Sequence, residues 1–188
     1  MPNTRIRPAR RIAGGRTSGY DNCVQPSRPI SQSPILVRPA GRGDADTIVA
    51  FNRKMALETE GRDLPASVAR DGVLAALSDR SRAAYYVAEV ADRIGGQAMV
   101  TTEWSDWRNG LFWWIQSVYV VPEFRRRGVF RALHEFIRDQ ARRRGDVCGL
   151  RLYVHHENRI AIETYQRLGM QQTDYLLLEE DWSARGRS

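Results

Sequence analysis

Cysteine, lysine and histidine are scarce in this chain of 188 residues, and each scarcity closes off a class of protein. The two cysteines, Cys23 and Cys148, lie far apart with no CxxC spacing. That excludes a disulfide framework and a cysteine-based zinc site, and it suits a reducing, cytoplasmic compartment. Two of the three histidines stand together in His155-His156-Glu157, which looks like a metal cluster. Neighbours along a strand point to opposite faces, however, and zinc needs three or four convergent ligands, so no metal is expected. No apolar run is long enough to span a membrane, and the N-terminus lacks the apolar stretch of a signal peptide. Of the 29 basic residues only Lys54 is a lysine. Such a bias looks like codon usage across a genome and weakens any argument from arginine abundance.

What is present falls into three parts: a tail over residues 1–34, a domain over 35–182 and a short C-terminal tail over 183–188. The first 34 residues are rich in Arg, Pro, Ser and Gly without periodic apolar spacing. They carry six arginines against Asp21, a net +5 out of the chain's +7. They read as a disordered extension, with an organelle transit peptide or a nucleic-acid arm as rivals resting on composition and charge alone. The rest is nearly balanced. Arg142-Arg143-Arg144 sits where a helix should end, a place the helix dipole favours for cations, so it argues little for nucleic acid.

Within the domain the apolar spacing gives a short strand over 35–38 and helices over 43–58 and from Pro65. Strands follow over 84–90 and, after Gly95-Gly96, over 98–104. Asn109-Gly110 signals a hairpin into a central strand over 111–121, apolar on both alternating sets and closed by Pro122. Next come Arg125-Arg126-Arg127-Gly128 and a helix whose buried face is Val129, Leu133, Phe136 and Ile137. A strand over 150–154, a helix over 158–168 stopped by Gly169 and a last strand over 175–178 complete an α/β fold with a mixed sheet, in the order β-α-α-β-β-β-α-β-α-β. The junction of central strand, arginine turn and helix start offers unpaired N–H groups and a positive dipole end, an anion site suited to phosphate.

Val120, Pro122, Arg125 and Gly128 match V-x-P-x-x-(Q/R)-x-x-G-x-(G/A), and Phe130 departs from it at the last position. About thirty residues on, Asn158, Ala161, Tyr165, Gly169 and Met170 match N-x-x-A-x-x-x-Y-x-x-x-G-(F/M). In both respects, and in element order from Ile35 to about Glu180, the chain resembles the GNAT superfamily of N-acetyltransferases. The resemblance implies acetyl-coenzyme A as co-substrate, with its pyrophosphate on the turn formed by Arg125, Arg126, Arg127, Gly128, Val129, Phe130 and Arg131. It implies Asn158 near the pantetheine, a backbone N–H of Val118, Tyr119 or Val120 for the thioester oxygen, and Tyr165 as general acid for the leaving thiolate. Ala161, Tyr165 and Leu168 also form a plain core stripe, and the two motifs in order favour the catalytic role.

Direct transfer to an amine needs something to take the amine's proton, since such amines have a pKa of about 10.4. No cysteine nucleophile is needed. The glutamate that some family members carry in the central strand is missing, because Trp114, Gln116 and Ser117 stand there. Glu103 is the candidate base, with Glu58 and Glu60 as alternatives bordering the acceptor site. Trp104, Asp106 and Trp107 could hold a cationic amine against aromatic faces, or the tryptophans could simply pack over the sheet end. The expected protein is thus an acetyltransferase acting on a small-molecule or peptide amine, with a homodimer left open. A non-catalytic acyl-coenzyme A-binding module and a nucleic-acid-binding protein are its rivals.

Overall fold

The computed structural model describes residues 33–182. The C-terminal tail and all but the end of the N-terminal tail, Cys23 included, lie outside them. Five strands form one sheet in the order β1-β2-β3-β4-β5. They are β1 (Ile35–Pro39), β2 (Ala84–Val90), β3 (Arg93–Ser105), β4 (Gly110–Val120) and β5 (Val147–Leu152). The first four pair antiparallel, and β5 joins β4 in parallel. Four helices complete the fold: α1 (Ala45–Glu60), α2 (Ala66–Ser78), α3 (Val129–Arg144) and α4 (Arg159–Arg167).

The two-residue period of a strand decides what each helix covers. Tyr85 and Val87 of β2 face Ile48 of α1 and Val73 of α2. Tyr86, Ala88 and Val90 face the other way, onto Val129, Leu133 and Ile137 of α3. Leu133 and Ile137 are fully buried, and each such side chain contributes about 1.5–3 kcal/mol of hydrophobic stabilisation. Helix α3 therefore backs one face of the sheet, while α2 covers β2 on the opposite face and α1 reaches across β3 to β4.

Two expectations need correction. Residues 175–178 form no strand; they are exposed apolar side chains outside any ladder. A strand's hydrogen bonds come from its neighbour, so a run of Tyr and Leu cannot make one alone, and these residues do not pair with β5. Gly95 and Gly96 do not precede a strand but lie within β3, which begins at Arg93. The β2–β3 turn is instead made by Ala91 and Asp92, both at positive φ. The glycines serve close approach: a Cβ on Gly95 would stand 2.9 Å from the Phe124 ring, and one on Gly96 2.8 Å from Val129. Both contacts are with the segment that leads from β4 into α3.

Candidate active site

Strand β4 keeps β3 as a partner along its length but loses β5 part-way. Its parallel pairing with β5 ends at Ile115↔Leu152. Against β3 the register runs Met99↔Gln116, then Gln97↔Tyr119 and Gly96↔Val120. Ala98 therefore stands opposite two residues, Ser117 and Val118, which is a β-bulge. Ser117 has φ 48°, a region few non-glycine residues occupy. The bulge falls where β5 has stopped pairing, so the ladder between the two parallel strands is open there as a slot. Neither Ser117 nor Val118 has a register partner on β3 or β5.

The slot leads to the arginine turn. Pro122, Glu123 and Phe124 form one short 3-10 turn, with Phe124 buried beneath it. Arg126 and Gly128 both take left-handed backbone, φ 61° and 84°, and Gly128 caps α3. Alternating backbone of this kind points successive N–H groups to one side. The N–H groups of residues 126–131 have no hydrogen-bond acceptor among the described residues, and the α3 dipole adds positive potential there. Arg126, Arg127 and Arg131 are exposed around them. This set suits a pyrophosphate in charge, donor number and access.

Arg125 is engaged differently. Its Nε donates to the Val120 carbonyl at 2.9 Å and its Nη2 to Glu58 Oε2 at 2.6 Å. Glu58 Oε1 also accepts from the Tyr119 hydroxyl at 2.9 Å. The Arg125 guanidinium holds the Glu58 carboxyl below its usual range, and burial together with Glu58 pushes the Tyr119 phenol up. Arg125 thus braces the turn from the α1 side. An open cleft of about 670 Å³ adjoins this brace, lined by Phe51, Lys54 and Glu58 of α1 and by Arg93, Tyr119 and Glu123 among others.

On the far side of the turn, Phe130 meets Tyr165 of α4 edge-on at 5.3 Å between ring centroids. Burial alone raises the Tyr165 phenol above its usual value, so it keeps its proton at neutral pH. Its hydroxyl makes no hydrogen bond to a described residue. Asn158 is the N-cap of α4, its Oδ1 accepting from Ala161 N–H at 3.1 Å.

The sequence profile of the Acetyltransferase (GNAT) family matches residues 52–170, a span that includes the bulge, the turn and Tyr165. The chain belongs to the GNAT family. A possible acetyltransferase from Clostridium difficile 630 is 45% identical, over 78% of this chain and 97% of that one, with a TM-score of 0.73. Two further structures share the fold. One is an acetyltransferase from Clostridium acetobutylicum solved with acetyl-CoA, with 18% identity, 78% and 96% coverage and a TM-score of 0.64. The other is an aminoglycoside N-acetyltransferase in complex with CoA, with 17% identity, 80% and 96% coverage and a TM-score of 0.66. No curated protein matches the chain.

This GNAT chain brings some of the residues named from its sequence together and leaves others apart. Val118, Tyr119, Val120, Arg125 to Arg131, Tyr165 and Glu58 gather at the C-terminal end of β4. Glu60 ends α1 in solvent, its carboxylate 3.8 Å from Arg62. Trp104, Asp106 and Trp107 belong to the opposite end of the sheet, at the β3–β4 hairpin, where Ser105 pairs with Gly110. At about 3.4 Å per residue, Gly110 lies roughly 24 Å along the strand from Ser117. Trp104 and Trp107 are 62% and 85% exposed there. Glu103 pairs with Phe112, roughly 17 Å along the strand from Ser117. Its carboxylate accepts from Arg151 Nη1 at 2.8 Å and from Trp114 Nε1. Among the described residues no group of His, Cys, Asp and Glu could hold a metal, and no helix is long and apolar enough to cross a membrane.

Sequence reasoning missed the bulge and its supports, Gln97 and Asn52. The available signal was polar interruption of apolar runs: Gln116-Ser117 within the central strand, and Gln97 within β3.

Proposed function

We propose that this GNAT chain transfers the acetyl group of acetyl-coenzyme A directly to the primary amine of a small molecule or peptide. The observation that carries the reading is the continuity of one path. A strand that leaves its neighbour at a bulge leads into a turn whose N–H groups at residues 126–131 await an anion. A cradle of that shape fits a long thioester with a pyrophosphate at one end. Residues 126–131 would hold the pyrophosphate, and the slot between β4 and β5 would take the pantetheine arm. The backbone at residues 117–118 would meet the thioester oxygen, where one oxyanion donor typically contributes roughly 2.7–4 kcal/mol to transition-state stabilisation. Tyr165, protonated at neutral pH and across the turn from the pyrophosphate cradle, supplies a proton to the departing thiolate, whose conjugate thiol has a pKa of about 8.5.

The acceptor side is the cleft between α1 and β4. Glu58 borders it and lies next to the bulge strand through Tyr119, which Glu103 does not. A carboxylate held low by Arg125 is a weak base, so Glu58 attracts and orients the ammonium form while water carries the proton away. Cytoplasmic action is part of this proposal, consistent with the use of coenzyme A thioesters. The test is a screen of primary amines with acetyl-coenzyme A, following free thiol and acetylated product together. Amine-dependent thiol release is expected. Saturable acetyl-coenzyme A binding with no turnover on any amine would favour the non-catalytic binding module.

A further inference from the structure

Gln97 is fully enclosed, 0% exposed, in the middle of β3. Its Nε2 donates to Asn52 Oδ1 of α1 at 2.7 Å and to the backbone carbonyl of Ser117 at 3.3 Å. Asn52 Nδ2 in turn donates to the Tyr85 hydroxyl of β2 at 3.0 Å. A row of three polar side chains thus crosses from β2 through α1 to β3 and ends on the one residue of β4 with left-handed backbone.

The arrangement is costly to the fold. Gln97 Oε1 is buried with no partner among the described residues, and an unsatisfied buried acceptor destabilises the folded state. A leucine of similar volume would remove that orphaned oxygen but leave Asn52 Oδ1 and the Ser117 carbonyl without this donor, so the amide at this position is tied to the two acceptors it serves. The second of these belongs to the bulge. Ser117 lies outside the β3 ladder and is half-buried, so without Gln97 its carbonyl would lose this donor, and its positive φ is a strain that persists only where the surroundings enforce it.

We propose that Gln97, anchored by Asn52, is a positioning residue for acetyl transfer. It holds the Ser117 bulge so that the adjoining backbone amide is aimed at the thioester oxygen. This rests on the acetyl-coenzyme A reading of the slot. It predicts a role confined to the acetyl group, because coenzyme A itself has no oxygen at that place.

The test compares calorimetric affinities for acetyl-coenzyme A and for coenzyme A in the parent protein, Gln97→Leu and Asn52→Leu, with thermal melts alongside. The parent should favour acetyl-coenzyme A by about fivefold, the worth of one ordinary hydrogen bond. Gln97→Leu should bring the ratio to about one by losing acetyl-coenzyme A affinity alone, with a single cooperative melt that shows the variant folded, at a temperature lowered by the acceptors left without their donor. A merely structural role would weaken both ligands together. Retention of the parental ratio in Gln97→Leu overturns the inference, as does a parent that binds both ligands equally. Should Gln97→Leu fail to fold, Asn52→Leu on the partly exposed α1 decides: a reduced ratio supports the anchor and an unchanged one overturns it. A parent that binds neither ligand contradicts the acetyl-coenzyme A reading instead.

Discussion

Replacing Gly128 separates backbone strain from charge at the turn. At φ 84° an L-residue is strained, by roughly 1–2 kcal/mol. Space is not the obstacle, since a Cβ there would meet only Ile35 Cδ1 at 3.9 Å. Gly128→Ala should therefore lower stability by about that amount. Gly128→Gln should add the effect of bulk, and Gly128→Glu the same bulk with a negative charge. A carboxylate about 5 Å from one phosphate charge, at an effective dielectric constant near 20, costs about 3 kcal/mol. That corresponds to roughly two decades in affinity. Isothermal calorimetry with acetyl-coenzyme A on all three variants, at two salt concentrations, reads the difference directly. The Glu–Gln gap should approach two decades at low salt and shrink as salt is added. Equal affinities for folded Gly128→Glu and Gly128→Gln would refute the placement of a pyrophosphate at residues 126–131.

Tyr165→Phe keeps the ring contact with Phe130 and removes the hydroxyl, so kcat should fall about 10²–10⁴-fold with acetyl-coenzyme A affinity nearly unchanged; turnover at the parent rate would leave Tyr165 as packing alone. Cys23→Ser with Cys148→Ser should retain most activity, because the transfer is direct; Cys148 only donates a weak hydrogen bond to the Leu111 carbonyl, and complete loss in a folded protein would indicate a covalent route. The Glu58 carboxyl is held below its ordinary value, so the stability it contributes is present above the usual glutamate pKa of about 4.3. That contribution is lost as pH falls through the lower folded value. Thermal melts against pH should show an acid limb that is shallower in Glu58→Gln, and identical limbs would remove the Glu58–Arg125 brace from the account.

Local chemistry was legible in the sequence wherever a residue's role is set by its own backbone. Pro122 closes the central strand, the arginine turn with its one glycine leads into a helix, and Gly169 stops the last helix, so the motif read from letters alone corresponds to a real turn. The central strand was equally plain from its apolar run, although only the Trp113 and Ile115 side is buried, while Phe112, Trp114 and Gln116 on the other face are half-buried. Features that depend on a distant neighbour were not legible. Gly95 and Gly96 look like turn residues until Phe124 and Val129 are seen against them. Residues 175–178 look like a strand, but no ladder receives them. Glu103, Trp104 and Trp107 are close in sequence to the central strand, yet the antiparallel hairpin carries them to its far end. Gln97 and Ser117 are the clearest case, because neither letter shows that one side chain supports the other's backbone.

The central claim, acetyl transfer from acetyl-coenzyme A to an amine at the head of β4, is tested most directly by product stoichiometry. The parent protein is given acetyl-coenzyme A and an amine that accelerates thiol release, and free coenzyme A is counted against N-acetylated amine by mass spectrometry. One acetylated amine per coenzyme A released, abolished together in Gly128→Glu, is the predicted result. Thiol release without acetylated amine, or full stoichiometric turnover by Gly128→Glu, would contradict it.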